Sequence, residues 1–189
     1  MSPEHRGPEE ERPRFMGDLA TLESRLSEAV DPDLEEEVMT RLLAMGLEEE
    51  SAGKFQIAIR EALINAVAYG NLGLVKTPGV TLGDYAEELE ALAAKPENAA
   101  KKATLELRAC MYEGKPAVQA VVSDEGKGFD RKNVPDPIAD ENLLNTAGRG
   151  ILMMEKFCDR VEFSPGKVVL TKMIDKKENP PENDRPAGE

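Results

Sequence analysis

The spacing of apolar residues switches along this chain from helical to alternating, and that switch limits what it can fold into. From Lys54 to Asn71 the sequence reads KFQIAIREALINAVAYGN, in which Phe55, Ala58, Ile59, Ala62, Ala66 and Tyr69 recur at helical spacing and form a core-facing stripe. Beyond Lys102 the period falls to two. Leu105, Leu107 and Ala109 alternate with Glu106 and Arg108, Glu113-Gly114-Lys115 makes a turn, and Val118, Ala120 and Val122 alternate with Gln119 and Val121. A helix over 54–71 and a β-hairpin over 105–122 together define an α+β chain.

The remaining segments fall in around these two. Residues 1–17 mix Pro, Gly and charge too densely to bury anything and read as a disordered tail, which holds the single histidine, His5. Leu22, Arg25, Leu26 and Ala29 fit a short helix, whereas Leu22, Ser24 and Leu26 fit a strand at the sheet edge; the strand is favoured. Asp31-Pro32 supplies a cap and a first helical proline, and Leu34, Val38, Leu42 and Met45 carry that helix to Gly46, with Glu35, Glu36 and Glu37 as a solvated first turn. The 54–71 helix extends back to about Glu48 and breaks at Gly70 and Gly73. Residues 74–104 read as a connection with its own helix (Leu82, Tyr85, Leu89, Leu92), stopped by Pro96. Residues 130–148 hold two prolines, several charges and Leu143-Leu144, the make-up of a lid. A helix (ILMMEKFC) follows, with Ile151, Met154 and Phe157 or Cys158 facing in, and then Val161 and Phe163, a turn at Ser164-Pro165-Gly166 and a final strand from Lys167 to Ile174. Residues 175–189 form a second disordered tail. With no internal repeat, one domain over 18–174 is expected.

Composition removes several function classes. Twenty-four Lys and Arg against 37 Asp and Glu leave a net charge of -13, which repels a phosphate backbone and argues against nucleic-acid binding while suiting a basic protein partner. Trp is absent and aromatics make up 4%, so there is no stacking platform for single strands. Cys110 and Cys158 sit in apolar surroundings without zinc-site spacing and read as buried small hydrophobes. No apolar run reaches the roughly 18 residues of a membrane span and the N-terminus has no signal-like apolar stretch, so a cytoplasmic protein with no membrane partner is expected.

Three short motifs carry chemistry. Glu61 and Asn65, four residues apart, share a second face of the 54–71 helix: the carboxylate can accept a proton and the carboxamide can offer its oxygen to Mg²⁺. On their own such residues are ordinarily just solvated. Asp124 ends the second hairpin strand and is followed by Gly126 and Gly128, which lets a ligand approach the backbone while the carboxylate accepts hydrogen bonds from an exocyclic amine such as adenine's; a tight surface turn uses the same residues. Gly148-Arg149-Gly150 opens a helix, where backbone N–H groups and the helix dipole form an anion site. Met153 and Met154 read as core filler. No Walker-type phosphate loop and no kinase-like HRD segment are present.

In their order, EALINAVAYGN (61–71), SDEGKGFD (123–130) and PDPIADENLLNTAGRGILMMEKFCDRVEF (135–163) resemble the GHKL ATPase superfamily of gyrase, histidine kinase and MutL. Within it the chain looks most like the stand-alone bacterial anti-sigma regulatory factors that act as serine/threonine protein kinases. The resemblance implies a Bergerat ATP-binding fold: a two-layer α/β sandwich, with a mixed, mostly antiparallel sheet and helices on one face. It implies ATP and Mg²⁺ as cofactors, Glu61 as the group that orients or deprotonates the attacking hydroxyl, Asn65 as the Mg²⁺ ligand, and Asp124 on the adenine amine. Gly126 and Gly128 would shape the base pocket, and Gly148, Arg149 and Gly150 would close on the phosphates. One departure stands out: many relatives have threonine beside a glycine where the last strand begins, and this chain has Gly166-Lys167.

The implied activity is phosphorylation of an anti-anti-sigma (STAS-type) partner by a protein that also binds a sigma factor or other client, with homodimerisation left open. The alternative is an ATP-binding partner-switch module without kinase turnover. A histidine kinase's catalytic half is disfavoured, since no dimerisation segment with an acceptor histidine precedes the domain here. A gyrase- or MutL-like ATPase would need further domains.

Overall fold

The computed structural model describes residues 14–24, 32–75, 77, 80–126 and 149–175, with the main chain alone described over 14–24 and at 32 and 82. Gly128, Gly148 and the lid read over 130–148 lie outside the described residues, as do 1–13 and 176–189.

The chain runs β1 (Arg14–Ser24), α1 (Pro32–Ala44), α2 (Glu49–Ile64), a π-helical segment (Asn65–Asn71), a 3₁₀ turn (Leu82–Tyr85), α3 (Ala86–Ala93), α4 (Pro96–Ala99), β2 (Ala103–Tyr112), β3 (Lys115–Ser123), α5 (Arg149–Phe157), β4 (Arg160–Ser164) and β5 (Lys167–Met173). The five strands form one sheet in the order β1-β2-β3-β5-β4. Every described pair is antiparallel, so the parallel component of the expected mixed sheet is absent among the described strands. The β2–β3 hairpin pairs Tyr112 with Lys115 across Glu113-Gly114. Both turn residues have positive φ, 49° and 73°, the geometry that two-residue hairpins need to match strand twist.

The alternation seen in the sequence sorts the sheet into two faces. Leu105 and Leu107 of β2, Val118, Ala120 and Val122 of β3, and Leu170 of β5 join one cluster with Val38 and Leu42 of α1, Phe55, Ala58, Ile59 and Ala62 of α2, Leu89 of α3, and Ile151 and Met154 of α5. The helices therefore cover a single face, the two-layer α+β sandwich that was expected. Burying a side chain such as Phe55 or Ile59 contributes about 1.5–3 kcal/mol, which is why the helical stripe dictates how α2 lies on the sheet. Tyr69, read as part of that stripe, is only half-buried and packs on the cluster's edge.

On the opposite face, Gln119 accepts a hydrogen bond from Arg108 Nε at 2.8 Å and donates one to Thr171 Oγ1 at 3.2 Å, which satisfies two buried polar side chains. Both cysteines are buried and free. Burial pushes the Cys158 thiol up to about 12 and raises that of Cys110, so neither offers a thiolate near neutral pH.

One local expectation is corrected. β1 begins at Arg14, inside the 1–17 stretch assigned to a tail, because backbone pairing with β2 (Arg14 opposite Met111) needs no buried side-chain pattern there. The helix of the connection, α3, stops at Ala93 just before Pro96 as expected, and Pro96 also opens α4 as its first residue, where its missing N–H has no helical partner to lose. Among the described residues, no helix is long and apolar enough to cross a membrane.

Candidate functional site

The motif helix does not stay α-helical. α2 gives way at Asn65 to a π-helical segment that runs to Asn71, closed by the Leu72 N–H bonding back to the Val67 carbonyl at 3.0 Å. π-Helical turns are rare and concentrate at functional sites because the extra residue per turn re-aims side chains. Here the wider turn brings Gly70 and Asn71 against the loop that leaves β3.

That contact is close. A Cβ on Gly70 would stand 2.5 Å from Asp124 Cγ, and one on Gly126 would stand 1.9 Å from the Gly70 carbonyl oxygen. Neither glycine has a positive φ, so the requirement is approach and not backbone conformation. This revises the reading of Gly126: the room left by its missing Cβ is taken by the Gly70 backbone, not by a ligand. The Asp124 N–H donates to the Gly166 carbonyl at 2.9 Å, and Asp124 Oδ1 accepts from the Gly126 N–H at 2.9 Å. Burial raises the Asp124 carboxyl above the usual carboxylate range, partly offset by the Gly126 N–H and by the positive charge of Lys101.

Asp124 sits at one side of a cleft between the helical layer and the β4–β5 hairpin. Ala62, Asn65, Ala66, Val122, Met154, Phe163, Ser164, Lys167 and Val168 complete its lining, around some 390 Å³ of empty space with the open mouth included. An apolar slot with one half-buried carboxylate fits a flat ring that carries an amine.

Glu61 lies one turn before Asn65. Its Oε2 would be 2.5 Å from a Cβ on Gly150, so the carboxylate rests against the first turn of α5, the positive end of that helix. The structure thus brings Asn65 and Asp124 into one cleft and sets Glu61 beside Gly150. Arg149, the first residue of α5, is exposed and does not line the cleft. Gly128 and Gly148 fall outside the described residues. Asn65 offers a carboxamide oxygen, and among the described residues no three His, Cys, Asp or Glu side chains converge on a point. A carboxamide oxygen is a hard donor of the kind Mg²⁺ accepts beside waters and phosphate oxygens.

Several residues were not singled out by their own sequence signal. Met154 is core filler as expected and also a wall of the cleft. Gly70 reads as a helix break and Asn71 as the last residue of the helical stretch. Asn71 is instead buried at 3% exposure, with Oδ1 accepting from the Glu125 N–H at 2.8 Å. Lys167, at the position where the resemblance leads one to expect threonine, lines the cleft.

An α+β sandwich with helices on one face, and a largely apolar cleft with one carboxylate between its helical layer and the β4–β5 hairpin, defines a class of small-ligand-binding domain. The family profile for the histidine kinase-like ATPase domain matches residues 31–173, and the chain belongs to that family. It is accordingly an ATP-binding domain of the GHKL type. No curated protein matches the chain.

Proposed function

We propose that this protein is a cytoplasmic anti-sigma regulatory factor that binds Mg²⁺-ATP and acts as a serine/threonine kinase on an anti-anti-sigma, STAS-type partner. The observation that carries the reading is Glu61. A pure binding module has little use for a carboxylate one turn from the cleft residue Asn65 and against the N-terminus of α5. In the transfer, the bond from the γ-phosphorus to the β,γ-bridging oxygen breaks and a bond to the partner's hydroxyl oxygen forms, while Glu61 takes the hydroxyl proton. Such transfers need positioning and charge stabilisation more than covalent chemistry. Asp124 would hold the adenine amine, Asn65 would hold Mg²⁺, which neutralises phosphate charge, and the N-terminus of α5 with Gly150 would face the phosphates. The acidic surface, with a net charge of -13, suits a basic client such as a sigma-factor segment.

The test uses the full chain with radiolabelled ATP, Mg²⁺ and a STAS-domain protein as phosphoacceptor. Phosphoserine or phosphothreonine on the acceptor is expected, with the rate reduced at least about 100-fold by Glu61→Ala while ATP binding persists. ATP binding and partner capture with no phosphorylated acceptor would overturn the kinase reading and leave the partner switch without turnover.

A further inference from the structure

The connection between the motif helix and β2 returns to the site at Lys101. Its ammonium donates to the main-chain carbonyl of Asn71 at 2.9 Å and to Asn98 Oδ1 at 2.8 Å. The Asn71 carbonyl belongs to the last turn of the π-helical segment, the negative end of the α2 axis, where a cation is both a hydrogen-bond partner and a favourable charge. Asn98, buried at 8% exposure on α4, is itself fixed by donating Nδ2 to the Leu92 carbonyl at 3.0 Å. The next residue adds a second tie: the Lys102 N–H donates to Glu125 Oε2 at 2.7 Å. Three separate pieces of chain thus meet here, the end of the motif helix, the end of the connection and the Asp124–Gly126 loop.

We propose that Lys101 is a positioning residue for base recognition: it holds Asn71, and through the Asn71 side chain the Glu125 N–H, so that the Asp124 carboxylate is presented to the amine of a purine. This rests on the reading of the cleft as an adenine-nucleotide site. It also gives the 74–104 connection a task, which is to deliver one cation to the base end of the cleft. Asn71 is nearly fully buried, and its Oδ1 can fix the Glu125 N–H only if the final turn of its own helix is held, which the ammonium does. The same positive charge favours the ionised form of Asp124 against its burial, so position and charge work in one direction.

Binding of two nucleotides to the full chain separates positioning from general structural support. One is ATP; the other is purine riboside triphosphate, which lacks the 6-amino group but is otherwise the same shape. Wild type is expected to prefer ATP by at least about tenfold, the worth of a hydrogen bond to a charged acceptor. In Lys101→Met that preference should shrink to about twofold or less, through loss of ATP affinity alone, and Lys101→Arg should restore most of it. Parallel weakening of both nucleotides with the ratio unchanged would overturn the proposal while leaving the adenine site standing. A wild-type protein with no preference for ATP would overturn the adenine reading and this proposal with it. If a thermal melt shows Lys101→Met unfolded, Asn98→Ala removes one of the two anchors of the ammonium and should lower the ratio by a smaller factor; an unchanged ratio there counts against the proposal.

Discussion

Asp124→Asn should weaken ATP binding on the order of 1,000-fold and yet leave the unliganded fold as stable as before or more so. The two halves of this result have one cause. Asp124 Oδ1 accepts the Gly126 N–H at 2.9 Å, and in the variant the amide oxygen keeps that bond. The amide NH₂ then stands where Oδ2 was, so a donor meets the adenine amine, another donor. The variant loses a hydrogen bond to a charged acceptor and leaves a donor unpaired in an apolar slot. In the unliganded protein the balance runs the other way. Burial raises the Asp124 carboxyl above its ordinary value, so the folded chain binds this proton more tightly than the unfolded chain does. Its contribution to stability is therefore favourable at acid pH and is lost as pH rises from the ordinary carboxylate value through the raised folded one. Asparagine removes that loss, and any gain in melting temperature should grow with pH across this window and vanish below it. Calorimetric titration with ATP and melting curves at several pH values check both halves. A variant that binds ATP like wild type would show that Asp124 does not read the base.

On this prediction aspartate at this position would trade stability for recognition, a pattern expected where a polar group is kept in an apolar site for a ligand. The trade also bears on how much of the molecule was legible beforehand. Helical spacing over 54–71 and alternation over 105–122 are local patterns, and they became α2 with its π-helical end and the β2–β3 hairpin, because each places its apolar residues on the face that the core covers. The sandwich itself needed the resemblance, since periodicity says nothing of strand order. β1 was legible only in part: its start at Arg14 comes from pairing with β2, a partner nearly a hundred residues away in sequence, as Arg14 opposite Met111 shows.

The site divides in the same way. Glu61, Asn65 and Asp124 were candidates by residue type and spacing and took roles only through the resemblance, and the structure brings Asn65 and Asp124 into one cleft with Glu61 a turn away. What could not be read was the π-helical turn and the packing of its Gly70 on Asp124, since neither has a signal in helical spacing. The tie from Lys101 to Asn71 was hidden for a related reason. A lysine in a run such as Lys101-Lys102 reads as a solvated charge until the fold places a helix end beside it.

That packing makes Gly126 the most sensitive glycine described in the molecule. In Gly126→Ala the new methyl would lie 1.9 Å from the Gly70 carbonyl oxygen and 2.3 Å from its carbon, both main-chain atoms that cannot swing aside as a side chain would. Relief requires the loop after β3 to move off the π-helical turn by more than an ångström, which breaks the Glu125 N–H to Asn71 Oδ1 bond and withdraws Asp124 from the cleft. A loss of about 1–3 kcal/mol in stability is expected, the usual range for overpacking, with ATP binding reduced below detection in the fraction that stays folded. Gly53 supplies the control. It lies inside α2 with nothing within 4 Å of a Cβ, so Gly53→Ala should raise stability by about 0.5–1 kcal/mol and leave ATP affinity untouched. Urea unfolding and nucleotide titration of the two variants side by side decide the matter. If Gly126→Ala bound ATP normally, the approach of Gly70 to this loop would have no part in shaping the site. A large binding defect in that variant, with most of its stability retained, would instead show that the loop must lie within contact distance of the motif helix for the base end of the cleft to exist.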